Sequence, residues 1–323
     1  MNTNSFTKIP TLDMKLLSGD SDTEKQLFTE TLIETLHTIG FFYLKNHPIN
    51  PDLMQQVLDL SKIFYSLPQD EKDSISIYNS KHFRGYGKLN AESTNNSPDF
   101  KETYDLGLER NPVNDSGKSY QILHGPNQWP PSLGNEFKHT ITRYIDEMMK
   151  LGMKLMHAIA AGLGIEENIF SESFDFNSRD AYSMLRLLHY PPAQQNAKQF
   201  GVGPHVDAGC LIFLLQDDTS GLQVQNNHGS WIDAPPVPDT LIVNIGEMLQ
   251  LWTNGYFKAT PHRVLNNNTN HRYSAPFFFE PNLSASIRPI ATFSNYQQHI
   301  ENGSRAIIYG EHMLQVFQRS FKY

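Results

Sequence analysis

Two side chains that can bind a metal ion lie two residues apart at the start of an apolar run. His205 and Asp207 precede residues 210–215, Cys-Leu-Ile-Phe-Leu-Leu. Because side chains two residues apart on a β-strand point to the same face, a strand here would present the imidazole and the carboxylate together. His262, in Thr-Pro-His-Arg-Val, is the candidate third ligand, since the intervening chain is long enough for several strands to return it to the same end of a barrel. Two histidines and one carboxylate, with the other coordination positions open, are the ligands that non-haem Fe(II) oxygenases use.

A second pair of residues predicts a receptor for a carboxylate. Arg272 and Ser274 share one face if they lie on a strand, and the fork of a guanidinium binds a carboxylate through two parallel hydrogen bonds. Residues 244–247, Asn-Ile-Gly-Glu, predict a tight turn between strands that supports the ligand strand from below. Cys210 alternates away from His205 on the presumed strand, so we expect it to pack in the core and not to bind metal.

The composition is that of an ordinary soluble globular protein. Apolar residues make up 39% and charged residues 19% of the chain, and no apolar run approaches the ~20 residues that a membrane helix requires. The formal net charge of -8 argues against a nucleic-acid surface, which requires clustered Lys and Arg. Cys210 is the one cysteine, which excludes an intrachain disulfide, and residues 1–9 lack the pattern of a signal peptide. We therefore expect a cytoplasmic monomer that acts on a small molecule, without nucleic-acid or membrane partners.

The first half of the chain alternates helical and strand patterns. Apolar spacing predicts an edge strand over 9–13, helices over 24–38 and 52–67, strands over 41–44 and 100–106, and the longest helix over 133–163. A long polar loop over 85–98 separates two of these elements. Because a loop of that length inside a compact domain usually has a function, we expect it to form a lid over a site.

After residue 180 the sequence predicts short strands separated by Gly, Pro, Asn and Asp. They lie at 184–190, 211–216, 222–226, 231–234, 240–245, 250–253, 262–265 and 273–279. Eight such strands predict a double-sheet jelly roll, whose open mouth can hold a metal and a small ligand. The predicted fold is therefore mainly β with flanking helices, with a double-stranded β-helix core. An N-terminal α/β region over 1–130 packs on a catalytic core over 131–323 to form one unit, and a C-terminal helix over 309–321 packs outside.

Motifs in both halves form a joint pattern. The C-terminal half carries His205-Val-Asp207-Ala-Gly, Pro-His262-Arg-Val and Arg272-Tyr-Ser274, and the N-terminal half carries Ile-Pro-Thr-Leu-Asp, Gly-Phe-Phe-Tyr-Leu-Lys-Asn-His and Phe-Arg-Gly-Tyr. In these motifs the chain resembles the isopenicillin N synthase-like family of Fe(II)/2-oxoglutarate-dependent oxygenases over nearly its full length. The resemblance implies a jelly-roll core and Fe(II) held by His205, Asp207 and His262. It also implies that 2-oxoglutarate chelates the iron, with its far carboxylate on Arg272 and Ser274.

Further segments are similar to the bacterial ethylene-forming enzyme and its oxygenase relatives. They are Met-Leu-Arg186-Leu-Leu-His-Tyr190-Pro-Pro, Phe-Glu-Pro-Asn at 279–282, and Tyr-Gly-Glu-His at 309–312 through Phe-Gln-Arg319. This similarity implies that Arg186 holds the C1 carboxylate of 2-oxoglutarate with Tyr190 beside the cosubstrate, and that Glu92 and Arg319 face the primary substrate. The remaining histidines are expected at the surface or around the ligands, including His189, His271 and His312.

The combined pattern predicts an Fe(II)- and 2-oxoglutarate-dependent dioxygenase. Three protein ligands leave three octahedral positions, two for the 2-oxo acid and one for dioxygen. We expect the enzyme to oxidise, by hydroxylation, a small amino-acid-like molecule and to release succinate and carbon dioxide. Two alternatives stay open. One is an isopenicillin N synthase-type oxidase that needs no 2-oxo acid, and the other is a non-enzymatic jelly-roll protein that binds a metabolite.

Overall fold

The computed structural model describes residues 5–112, 117–166, 168–193, 199–266, 269–293 and 306–320, which form two large sheets, two small two-stranded sheets, eight α-helices and four short 3-10 helices. The helices are α1 Lys15–Ser18, α2 Asp22–Thr38, α3 Pro51–Tyr65, α4 Gln69–Ser74, α5 Gly134–Leu163, α6 Asn168–Ser171, α7 Glu247–Trp252 and α8 Tyr309–Ser320. The strands of the two sheets are β1 Thr11–Asp13, β2 Phe41–Lys45, β3 Gly85–Gly87, β6 Glu102–Gly107, β7 Ser183–Tyr190, β8 Gln199–His205, β9 Leu211–Gln216, β10 Leu222–Gln225, β11 Trp231–Asp233, β12 Thr240–Ile245, β13 His262–Asn266 and β14 Arg272–Phe279. Two small hairpins add β4 Ser93–Thr94 with β5 Ser97–Pro98, and β15 Ser286–Ile287 with β16 Ile307–Ile308.

The larger sheet has the order β1-β2-β12-β9-β14-β7-β6-β3, and the smaller sheet has the order β11-β10-β13-β8. All pairs are antiparallel except β1 with β2. An apolar cluster joins the facing sides of the two sheets; its members include Phe41, Leu188, Tyr190, Val202, Val224 and Val264. Because β-strand side chains alternate, the other face of the larger sheet is free to pack on helices. The predicted mainly β jelly roll with flanking helices is confirmed.

Helices α2, α3 and α5 pack on the larger sheet. The apolar stripe of α5 is buried against α2, α3, β7 and β14, and its members recur at helical spacing. Gly152 lies where α5 crosses β14, and a β-carbon there would overlap with the ring of Phe279. The predicted long helix over 133–163 is thus confirmed, and it forms the support behind the sheet that carries Arg272.

Two strand predictions need correction. Residues 250–253, predicted as a strand, lie in and just after α7, where Met248, Leu249, Leu251 and Trp252 are buried at helical spacing. A short apolar run does not distinguish the residue period of a helix from that of a strand, and here the helical contacts determine that the segment is a helix. The presumed strand through His205 and Asp207 also differs, because β8 ends at His205 and Asp207 lies in the loop before β9.

The larger sheet includes strands from both sides of residue 130. β1, β2, β3 and β6 precede that residue, whereas β7, β9, β12 and β14 follow it. The division of the chain at residue 130 stays a prediction. Among the described residues, no helix is both long enough and apolar enough to cross a membrane.

Candidate active site

His205, Asp207 and His262 meet at one end of the smaller sheet. His205 ends β8, His262 begins β13, and the two residues are paired across these antiparallel strands. His262 Nε2 lies 3.4 Å from Asp207 Oδ2, and His205 Nε2 lies 3.8 Å from Asp207 Oδ1. The three potential ligand atoms all lie within 4.8 Å of one another. The cluster therefore forms through cross-strand pairing and a loop, and not through alternation along one strand.

The two imidazoles are oriented by their own backbone. The Nδ1 of His205 lies 2.9 Å from the carbonyl oxygen of Gly203, and that of His262 lies 3.2 Å from that of Thr260. These contacts leave both Nε2 atoms directed toward Asp207. Burial, with the neighbouring His262, lowers the pKa of His205 to about 4, so its ring is neutral at neutral pH. A neutral imidazole has the free lone pair that metal binding requires.

The turn at residues 244–247 supports the loop that carries Asp207. The Asn244 side chain donates to Asp207 Oδ2 at 2.7 Å, and the Glu247 backbone N–H donates to the Asp207 carbonyl oxygen at 2.8 Å. At Gly246 a β-carbon would lie 2.7 Å from that same carbonyl oxygen and would also overlap with the backbone of Gly209. The predicted support is confirmed, although the turn joins β12 to α7 and not to another strand.

Arg272 and Ser274 lie side by side on β14, as predicted. The Arg272 side chain is buried, and it donates to Ser274 Oγ at 3.3 Å, to Gln216 Oε1 at 3.0 Å and to the Thr219 carbonyl oxygen at 3.2 Å. Its guanidinium lies over the ring of Tyr190, 4.9 Å from the centroid. These contacts fix the position of the positive charge, while Arg272 and Ser274 still line the pocket next to the metal-ligand cluster.

A network of buried charges forms another wall of the pocket. Arg186 donates to both carboxylate oxygens of Asp105, at 2.6 and 2.7 Å, and also contacts Glu92 at 2.9 Å. Lys101 bridges Glu92 at 2.8 Å and Asp99 at 2.9 Å. Burial raises the pKa of Glu92, but the charges of Arg186 and Lys101 outweigh it and bring the pKa to about 2. Burial raises the pKa of Asp105 against the opposing charge of Arg186.

The residues predicted from the similarity to the bacterial ethylene-forming enzyme differ in whether they line the pocket. Glu92 and Arg186 both line the pocket, yet the guanidinium of Arg186 is already paired with two carboxylates. To hold a carboxylate of 2-oxoglutarate it would have to release one of them, so that role stays a prediction. Arg319 is exposed near the end of α8 and does not line the pocket, whereas its helix neighbours Val316 and Ser320 do. The structure thus does not place Arg319 against the substrate space.

The pocket has a volume of about 310 Å³ and is closed on one side by α8. Met313, Val316 and Phe317 of this helix line it, which corrects the expectation that the C-terminal helix packs outside. The predicted loop over 85–98 contains β3 and the β4–β5 hairpin, and its Glu92, Ser93 and Thr94 form part of the wall. Its movement as a lid stays a prediction.

Several residues at or near the pocket were not singled out from the sequence. Asp99 and Lys101 line the pocket, whereas Asp105 and Gln216 do not line it and instead contact Arg186 and Arg272. The signal for Lys101 and Asp105 was present, since charged side chains recur within the strand predicted over 100–106. Cys210 is fully buried, and burial raises the pKa of its thiol, so the expectation of a packing role is confirmed. His189 is also buried, contrary to the expectation, and contacts Glu102 and His271.

Comparison with known proteins identifies the family. Residues 181–281 match the 2OG-Fe(II) oxygenase superfamily, and residues 9–132 match the N-terminal region described as non-haem dioxygenase in morphine synthesis. A homoarginine-6-hydroxylase of Glycine max is 33% identical over 95% of this chain and 96% of its own length. The chain belongs to the 2OG-Fe(II) oxygenase superfamily. A 2-oxoglutarate-dependent dioxygenase of Monascus ruber is 36% identical over 90% of each chain.

Solved structures agree with this membership. The Neurospora crassa T7H in complex with alpha-KG and thymine has a TM-score of 0.81 and 30% identity, over 96% of each chain. JOX2 in complex with 2OG, Fe and JA has a TM-score of 0.74 and 26% identity, over 97% of this chain and 85% of the other. As a superfamily member, the protein is a 2-oxoglutarate-dependent dioxygenase that requires Fe(II), 2-oxoglutarate and dioxygen. This membership favours the predicted enzyme over the oxidase and the non-enzymatic binding protein.

Proposed function

We propose that this dioxygenase hydroxylates a small, amino-acid-like molecule in the pocket beside His205, Asp207 and His262, with release of succinate and carbon dioxide. The observation that carries the proposal is that one pocket contains both this cluster and the Arg272–Ser274 pair. A metal-binding end and a carboxylate-binding end are the two features that a chelating 2-oxo diacid requires.

The donor set fits Fe(II). The ligand atoms of two imidazoles and one carboxylate lie within 4.8 Å of one another, and three protein ligands leave the other coordination positions of the metal open. Bound Fe(II), 2-oxoglutarate and dioxygen supply the oxidising chemistry. The protein positions these reactants and excludes water from the site. His205, Asp207 and His262 would hold the iron, and Asn244 would orient Asp207 through its hydrogen bond.

Arg272 and Ser274 would bind the far carboxylate of 2-oxoglutarate. Tyr190 supports the role of Arg272, because its ring packs against the guanidinium and is fully buried. Desolvated charges at such a site interact more strongly than exposed ones. The pocket therefore offers a fixed positive charge in addition to the metal-ligand cluster.

The charged wall supports a substrate with both a positive and a negative group. Glu92 and Asp99 lie in the pocket together with Lys101 and Arg186, so carboxylates and cations alternate along one side. An amino acid has an ammonium and a carboxylate that could each find a partner there. Homoarginine-6-hydroxylases among the relatives are consistent with this class. We propose that Glu92 contacts the substrate. Arg319 is not proposed as a substrate contact, because it does not line the pocket.

Hydroxylation is proposed in preference to ethylene formation. The relatives compared above are plant and fungal hydroxylases and dioxygenases, and a further one comes from Dictyostelium discoideum. None of these names supports the likeness to the bacterial ethylene-forming enzyme. We also propose a cytoplasmic location, for which the single, fully buried cysteine is the support.

The test is succinate formation from 2-oxoglutarate with added Fe(II), measured for the wild type, Asp207→Ala and an exposed control, Asp70→Ala. Wild type and the control should form succinate, and Asp207→Ala should not. Equal turnover by Asp207→Ala would show that the metal site is elsewhere. For the substrate, a panel of amino acids should include compounds that accelerate succinate formation, and Glu92→Gln should weaken that acceleration. Acceleration only by molecules that lack an ammonium group would refute the substrate class.

A further inference from the structure

Glu280 is a buried carboxyl that has no part in the chemistry proposed above, although it lines the pocket. It follows β14 and reaches across to the loop that carries Asp207. Its Oε2 accepts a hydrogen bond of 2.8 Å from the backbone N–H of Cys210. At Gly209 a β-carbon would overlap with the Glu280 carboxyl, so the loop can approach this side chain closely only because residue 209 is glycine.

The same carboxyl also faces helix α8. The side chain of Tyr309, the first residue of α8, lies beside that of Glu280, and both side chains are fully buried or nearly so. One turn further along, the imidazole of His312 lies against the backbone of Ala208. Helix α8 therefore touches the loop 207–210 directly through His312 and indirectly through Glu280.

The loop is thus held by two groups of contacts. The turn at 244–247 contacts it through Asn244 and Gly246, as described above, and Glu280 with α8 forms the second group. The Asn244 contact orients the Asp207 side chain, whereas the Glu280 contact fixes the backbone that follows it. Groups that orient a metal ligand in this way commonly change metal affinity when they are removed.

We propose that Glu280 is a positioning residue that couples helix α8 to the Asp207 loop, so that the metal site is complete only when α8 is seated over the pocket. The inference rests on the proposed role of Asp207 as a metal ligand. Since Met313, Val316 and Phe317 of α8 line the substrate space, the same helix would transmit substrate contact to the metal site. Coupling between two sites is reciprocal, so metal binding must stabilise the seated helix by the factor by which the seated helix strengthens metal binding.

The first experiment measures the dissociation constant of Co(II), a stand-in for Fe(II) with a visible absorption band, for Glu280→Ala and Glu280→Gln. Loss of the carboxyl should weaken Co(II) binding by roughly 10- to 100-fold, the range for groups that orient metal ligands. The glutamine variant keeps an acceptor for the Cys210 N–H and should bind close to the wild-type value. Glu102→Gln is the control, because Glu102 is also a buried carboxylate but contacts His189 and Lys72 and not the loop. Wild-type affinity in folded Glu280→Ala would overturn the proposal.

The second experiment needs no variant and therefore tests the coupling of α8 to the metal site even if Glu280→Ala fails to fold. Hydrogen exchange of the amides in residues 309–320 is measured in the wild type with and without saturating Co(II). Reciprocity requires slower exchange in α8 when the metal is bound, and unchanged exchange would overturn the coupling. Failure of the proposed function gives a different result, since Asp207→Ala would then bind Co(II) as well as the wild type does. If only the inference about Glu280 fails, Asp207→Ala should still lose Co(II) binding.

Discussion

Replacing Arg272 with lysine should weaken 2-oxoglutarate binding while the fold survives. The guanidinium is buried and is held by three acceptors, Ser274 Oγ, Gln216 Oε1 and the Thr219 carbonyl oxygen, at 3.3, 3.0 and 3.2 Å. This arrangement presents a fork of fixed orientation to the pocket. Lysine keeps the positive charge but has a single ammonium group, so it cannot offer two parallel hydrogen bonds to one carboxylate.

The magnitude follows from the number of hydrogen bonds lost. One hydrogen bond to a charged group contributes about 1.5–3 kcal/mol, so the loss of one of the two raises the dissociation constant of 2-oxoglutarate roughly 10- to 150-fold. The acceptors of Gln216 and Thr219 are also left without their donor. Unsatisfied buried groups cost about 1–3 kcal/mol of folding free energy, so the unfolding midpoint should fall as well. The two effects are separable because binding is measured on the folded protein.

The assay is anaerobic titration of 2-oxoglutarate into the Fe(II) enzyme, followed through the metal-to-ligand charge-transfer absorption band. Arg288→Lys, at an exposed position away from the pocket, is the control and should bind like the wild type. Fe(II) binding itself should be unchanged in Arg272→Lys, because Arg272 does not contact the metal-ligand cluster. If Arg272→Lys bound 2-oxoglutarate with wild-type affinity, the reasoning about the carboxylate receptor would be refuted.

Three further predictions concern the support of the site and the sheet behind it. Asn244→Ala removes the donor to Asp207 and should weaken Co(II) binding roughly 10-fold, as measured by titration; unchanged affinity would contradict the orienting role. Gly246→Ala places a β-carbon 2.7 Å from the Asp207 carbonyl oxygen, so both Co(II) binding and the melting temperature should fall, and an unaltered protein would mean that the turn can shift freely. Glu102→Gln tests a stability effect of pH. Burial raises the pKa of Glu102, but its partners His189, Tyr86 and Lys72 lower it from 4.5 to about 2. The unfolded chain therefore binds the proton more readily, and stability from this group is present above about pH 5 and is lost as the pH falls toward 2. After a discount for residual solvent screening, the variant should be less stable than the wild type by about 2 kcal/mol at pH 6. In denaturant unfolding the difference should shrink toward pH 3, and a constant difference would refute the pKa argument.

The sequence by itself determined the type of chemistry and the class of fold. His205, Asp207 and His262 were recognisable because few structural tasks need two imidazoles and a carboxylate near motifs such as Arg272-Tyr-Ser274. Short strands and turns predicted the jelly roll, since periodicity and turn residues are local properties of the chain. Helices α2, α3 and α5 were predicted for the same reason.

The tertiary structure decided which of these residues meet, because strand register and helix docking depend on contacts far apart in sequence. His205 is paired with His262, and Asp105 with Arg186, only through the register of β8 with β13 and of β6 with β7. No local pattern indicates that Arg186 is occupied by carboxylates, that Asp207 lies in a loop, or that α8 covers the pocket. Because Asp105 and Arg186 are both removed from solvent, loss of either would leave an uncompensated charge in the interior, which is costly. Sequence chemistry therefore identified the ligands, whereas folding determined their partners and the shape of the substrate space.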